Sequence, residues 1–232
     1  MTADLTPLAA PSPATASPAT AGPAAAGPAA RAAAYRWLAG LFACEPSPEA
    51  LCAYGSREGA ELLAALGALP GLAPLAEALA RLASADREPV ATARDLAGEF
   101  AHLFHGVGGR RSAPPCASFY LNASGRMMQA QAGAIEKELQ RLGLTLAADL
   151  HEPPDHIAVA LSVMAHLVET HGEDAQADFL ARHIAPWIDA FAARCAQSPR
   201  AAFYATAAGG AAAFCTADLT RLRAAETEDR RH

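Results

Sequence analysis

From Arg31 onward, large apolar residues recur at intervals of three and four, and nowhere do they alternate convincingly. Ile157, Ala160, Leu161, Met164, Leu167, Val168 and His171 follow this rule, and Leu180, Ile184, Trp187, Ile188, Phe191 and Cys195 repeat it further on. Met128, Ala132, Ile135, Leu139 and Leu142 make a third stripe, and Leu96, Phe100, Leu103 and Phe104 a fourth. Such spacing puts each set on one side of a helix, and each side then needs a partner surface to bury it. Alanine-rich segments at about 31–44, 48–66 and 72–84 are punctuated by Pro46, Pro48, Pro70 and Gly71 and read as further short helices. The predicted fold class is all-α. Pro186 falls inside a helical pattern and predicts a kink or a restart just before Trp187.

The two ends read differently from the middle. Residues 1–30 hold twelve Ala, six Pro and one charge, Asp4. Proline at this density defeats a helix, and the stretch lacks both the basic start and the unbroken apolar core of a signal peptide, so a disordered tail is expected. Residues 31–226 are the expected helical domain, and 227–232 a charged C-terminal end. The run from Ala201 to Ala217 is mostly Ala and Gly, too weak and too short to span a bilayer. A formal net charge of -6 with a single lysine, Lys137, disfavours nucleic acid or an anionic membrane as the main partner and suits a basic peptide. Cys44, Cys52, Cys116, Cys195 and Cys215 show no C-x-x-C and no metal-ligand spacing, so no disulfide framework or structural zinc is indicated. Together these features predict a soluble, cytoplasmic protein.

The tightest combination of charge, a titratable ring and enforced geometry is Glu152-Pro-Pro-Asp-His156. Pro153 and Pro154 fix φ and cannot donate, so they exclude a helix interior and pre-set the first turn of a helix running from Ile157. Asp155 is expected in that first turn, where the helix dipole favours a carboxylate, with Glu152 just outside it and His156 just inside. A neutral His156 is expected there, because the same dipole disfavours its charged form. The residues alone leave two readings open: a well-capped helix start, or a carboxylate pair and an imidazole that receive a cation.

Three motifs in order, Phe100-Ala-His-Leu-Phe104, then Ser118-Phe-Tyr-Leu121 with Gly125-Arg-Met-Met-Gln129, then Glu152-Pro-Pro-Asp-His156, give a resemblance. The chain resembles the TorD/DmsD/NarJ family of cytoplasmic chaperones for molybdenum-containing oxidoreductases, and is most like its TorD members. The resemblance spans about residues 31–222 and is strongest from Glu99 to Trp187. It implies one helical fold whose N- and C-terminal portions are joined by a hinge loop near 143–152, present as a monomer or as a domain-swapped homodimer. It also implies binding of the apo-molybdoenzyme and its twin-arginine leader peptide, help with cofactor insertion, and delayed export. The motif run favours a trimethylamine N-oxide reductase client, with a dimethyl sulfoxide, formate or nitrate reductase as the alternative. A twin-arginine leader calls for carboxylates beside an apolar groove. Glu152 and Asp155 are the candidates for the first, and Phe100, Leu103, Phe104 and Tyr120, with Phe119, for the second. Pro115 and Ser118 would shape the loop between, His156 would combine structure and recognition, and Pro153 and Pro154 would form the hinge. Plain core packing competes for every aromatic. Phe104 suits core and groove wall equally, whereas the hydroxyl of Tyr120 favours exposure.

Enzyme readings find little support. His151-Glu152 and His156 imitate the zinc motif H-E-x-x-H, but the histidines are five apart across two prolines, so a metal-dependent enzyme is disfavoured and no cofactor or metal is expected. Gly106-Val-Gly-Gly109 lacks the Lys-Ser/Thr of a phosphate-binding loop and follows a helix rather than a strand, and a nucleotide-dependent enzyme is disfavoured likewise.

Overall fold

A computed structural model describes residues 3–5, 27–121, 130–146 and 152–229. The described chain is all-α apart from two three-residue strands. Helix α1, Pro28–Ala43, opens on a proline at its first position, three residues before the start that the stripe suggested. It buries Tyr35, Trp37, Leu38, Leu41 and Phe42, and lies along α8, Ile157–Thr170. In α8 every residue from Ile157 to Ala165 is buried, and Leu167 and Val168 as well, so this helix is covered on all sides by the others. Each fully buried large apolar side chain here is worth about 1.5–3 kcal/mol relative to exposure. The segment expected as one helix over 48–66 is two, α2 at Pro48–Tyr54 and α3 at Arg57–Gly67. Ser47 and Ser56 cap them through the amides of Ala50 and Gly59, and Ser56 is why the second helix restarts. Gly59 permits that junction, since a Cβ there would sit 2.1 Å from the Ala53 carbonyl oxygen.

Helix α4, Ala73–Leu82, begins after Gly71, whose φ of +79° no side-chain-bearing residue adopts easily and whose absent Cβ lets Ala213 approach. Helix α5, Pro89–Phe104, is capped by Glu88, whose carboxylate accepts the amides of Val90 and Ala91. A 3₁₀ turn at Gly109–Arg111 leads to the five-residue α6, Ala117–Leu121. Beyond it come α7, Ala130–Leu142, and a strand at Leu144–Leu146 (β2). Strand β1, Ala3–Leu5, pairs with β2 in parallel, Ala3 opposite Leu144. The expected disordered tail thus carries three paired residues. They precede the first proline, Pro7, so nothing in them forbids donation to a ladder.

After α8 come α9, Glu173–Phe179, a π turn at Leu180–Ile184, α10, Ile188–Ala196, and the 28-residue α11, Ala202–Asp229. The restart expected at Pro186 is present. The π turn closes with the Ala185 amide on the Leu180 carbonyl, and α10 begins two residues past the proline. One hydrophobic core runs from α1 to α11, drawing on both sides of the 143–152 link. Across it, Arg31 of α1 meets Asp218 of α11 at 2.7 Å, both side chains being buried. Tyr35 donates to the same carboxylate at 2.8 Å, and Arg31 also donates to Gln176 of α9 at 2.7 Å.

Candidate functional site

The Glu-Pro-Pro-Asp-His segment ends a tight turn in which the His156 amide donates to the Pro153 carbonyl at 2.9 Å. His156 is the N-cap of α8, and its Nδ1 accepts the Ala158 amide at 3.2 Å. An accepting Nδ1 carries no proton, so the hydrogen sits on Nε2, which lies 3.5 Å from the Glu152 carboxylate. Burial, and secondarily the nearby His105, push the imidazole down to about 3, so the contact with Glu152 joins a neutral ring to a carboxylate.

Asp155 does not cap α8. Its Oδ2 accepts the amide of Ser118, in the first turn of α6, at 2.8 Å, while its backbone carbonyl accepts the Ala117 amide at 3.0 Å. The Ile157 amide returns a bond to the Pro115 carbonyl at 2.8 Å, and Cys116 and His156 form an isolated antiparallel bridge. The segment therefore fastens α6 to the entrance of α8. Burial, with the carboxylates of Asp155 and Glu152 nearby, pushes the Cys116 thiol well up, so it is inert packing. Asp155 is 1% exposed, and Ser118, Pro115 and Pro154 are buried too, whereas Glu152 and Pro153 are partly open.

The aromatic candidates divide. Phe100, Leu103 and Phe104 are core residues: Phe104 meets Phe42 at 6.0 Å and Tyr204 at 5.2 Å, and Phe100 meets Tyr204 at 5.3 Å. Phe104 lies buried in this cluster. Phe119 and Tyr120 lie together on α6, half-buried, with Tyr120 packed against the edge of that core. Tyr120 stacks on Trp187 at 5.7 Å with the ring planes 18° apart. Its hydroxyl is buried and meets no hydrogen-bond partner among the described residues, the reverse of the expected wet end, as the stack on Trp187 fixes the ring plane. Burial pushes that hydroxyl well above the ordinary tyrosine range.

Arg194 of α10 escaped the sequence reading. Its guanidinium lies 5.0 Å over the Phe119 ring and donates to the carbonyls of Ser112 at 2.6 Å and Arg110 at 3.1 Å. A lone arginine beside the buried stripe of Phe191 and Cys195 was its only signal. Trp187 and Phe191 were read as core alone, yet they also form the seat of Tyr120. His151 and the Gly125–Gln129 run lie outside the described residues. Among the described residues, no group of three or more His, Cys, Asp or Glu side chains is arranged to hold a metal ion, and no helix is long and apolar enough to cross a membrane.

A family model described as nitrate reductase delta subunit matches residues 70–193. The chaperone protein TorD of Vibrio parahaemolyticus serotype O3:K6 is 32% identical over 199 residues, covering 81% of this chain and 92% of its own. TorD of Vibrio cholerae serotype O1, strain ATCC 39541, is 34% identical over 199 residues, covering 79% and 88%. TorD of Ferrimonas balearica is 34% identical over 202 residues, covering 82% and 89%. A helical fold, matched over about four fifths of the chain by proteins named as chaperones, places the chain in a class of non-enzymatic chaperones. The chain belongs to the TorD/DmsD/NarJ family.

Proposed function

We propose that this chaperone binds the twin-arginine leader and the apo form of a molybdenum-cofactor oxidoreductase in the cytoplasm, supports cofactor insertion and delays export until the enzyme is loaded. The observation that carries this is the identity of 30–34% to proteins named chaperone protein TorD over most of the chain. Charge agrees with it: a net -6 with one lysine favours a basic segment. Glu152, partly open at the entrance of α8, is the carboxylate positioned to meet a leader arginine, with the half-buried Phe119 and Tyr120 as nearby apolar surface. Asp155, His156, Pro115 and Ser118 hold that surface in place. Phe100, Leu103 and Phe104 support it from the core.

A trimethylamine N-oxide reductase is the client that relatedness to proteins named TorD favours, with a dimethyl sulfoxide, formate or nitrate reductase as the alternative. The protein works as a monomer or as a domain-swapped homodimer, Pro153 and Pro154 serving as the hinge. Titration calorimetry with the leader of each reductase, alongside isolation of the apo-enzyme complex, tests both the activity and the client. One leader bound in preference to the others, with affinity lost when both arginines become glutamine, is the expected result. Equal or no affinity for all of them contradicts the proposal.

A further inference from the structure

Three buried polar atoms about α6 have no hydrogen-bond partner among the described residues: Ser118 Oγ, the Tyr120 hydroxyl and Asp155 Oδ1. Groups of this kind are served better by a polar ligand or by exposure than by the closed arrangement. The apolar side of the same short helix is well seated, because Tyr120 lies face to face with Trp187 and meets Phe191 edge-on at 6.0 Å. A ring held for its face, its hydroxyl stranded, occupies its slot as a replaceable group. The clasps that hold α6 are few: the Asp155 carboxylate on the Ser118 amide, the short bridge between Cys116 and His156, and Arg194 over Phe119.

Resting on the leader-binding reading above, we propose that Tyr120 is an internal stand-in for a bulky apolar side chain of the leader. Helix α6 swings aside, that side chain takes the slot between Trp187 and Phe191, and Asp155, released from the Ser118 amide, receives a leader guanidinium through both oxygens. The closed and open forms are then two arrangements of one site, and the affinity observed is the intrinsic affinity scaled by the open fraction. The sequence reading of Asp155 as a guanidinium acceptor and its buried position in the structure describe these two forms.

The test is the affinity of the full chain for a labelled synthetic peptide carrying Arg-Arg followed by a leucine-rich stretch. Tyr120→Ala empties the slot and should tighten binding roughly fivefold or more, as the competent fraction grows. Tyr120→Phe seats the ring without its stranded hydroxyl, closes the slot more firmly and should weaken binding. Arg194→Met removes the guanidinium over Phe119 while leaving Trp187 and Phe191 in place and should tighten binding, and it decides the matter if Tyr120→Ala does not fold. A parent that binds while Tyr120→Ala or Arg194→Met binds no better makes the ring an ordinary contact and overturns the slot, leaving leader binding intact. No affinity in the parent or in any variant sinks the leader reading and the slot with it.

Discussion

The carboxylate of Asp155 holds the backbone amide of Ser118 at 2.8 Å, across 37 residues of chain, so the entrance of one helix fixes the start of another. A carboxylate at a helix start ordinarily serves its own helix. Here His156 does that, and Asp155 is freed to anchor α6.

Asp155→Ala leaves the Ser118 amide buried and unpaired, and should cost about 1–3 kcal/mol. Asp155→Asn keeps an acceptor oxygen and should lose less. Urea denaturation of the two variants measures the difference, and equal losses would mean that the anchoring bond contributes nothing.

Acid should destabilise the protein through His156. Its folded-state value near 3 lies below the ordinary 6.5, so the unfolded chain takes up the proton first. The contribution is fully present above pH 6.5 and declines as pH falls towards 3, by about 1.4 kcal/mol per pH unit within that window. His156→Gln removes the titration. Subtracting its stability curve from that of the parent between pH 7 and pH 4 should yield this slope, and a flat difference would show a ring that protonates freely in the fold.

Asp218→Ala should be the most damaging of these single changes. It strands the Arg31 guanidinium inside the core, where breaking a buried pair costs about 3–5 kcal/mol. Replacing the exposed Glu61, which pairs with Arg57 on α3, should cost well under 1 kcal/mol. Thermal midpoints of the two variants, measured side by side, check the ranking.

Removal of residues 1–26 should leave leader affinity unchanged and lower the thermal midpoint only slightly. The one local effect expected is faster amide exchange at Leu144–Leu146, which lose the β1 ladder. A large drop in the midpoint would show that the tail packs on the core.

Leader binding should weaken as salt rises, because a partly open charge such as that of Glu152 is screened by salt, with a screening length of about 10 Å at 0.1 M. Calorimetry at two salt concentrations gives the slope, and affinity indifferent to salt would remove the electrostatic part of the proposal.

Most helices could be read directly, because a helical stripe is a local signal and Pro186 acts within its own turn. The break at Gly55–Ser56 carries a local signal, a glycine followed by a capping serine, that the alanine-rich reading of the segment passes over. For the site, the motif was visible but the partners were not. Asp155 bonds to Ser118, Arg194 reaches Ser112 across 82 residues, and Arg31 finds Asp218 across 187. Pairings of that range leave no periodic mark in a sequence. Tyr120 is more open than Phe104, as expected, but the inward placement of its hydroxyl depends on the stack on Trp187, a contact that the sequence does not reveal.

The pairing of Arg31 with Asp218 also bears on the order in which the protein can be made. Arg31 is near the start of α1, and Asp218 lies in the second half of the last helix. On the ribosome the arginine therefore emerges long before its carboxylate, and until then the face of α1 around Tyr35 lacks the Phe214 ring that finally meets it at 4.9 Å. A chain stalled short of α11 leaves Arg31 without the Asp218 carboxylate and Tyr35 without the Phe214 ring, so this face of α1 is completed only once α11 has emerged.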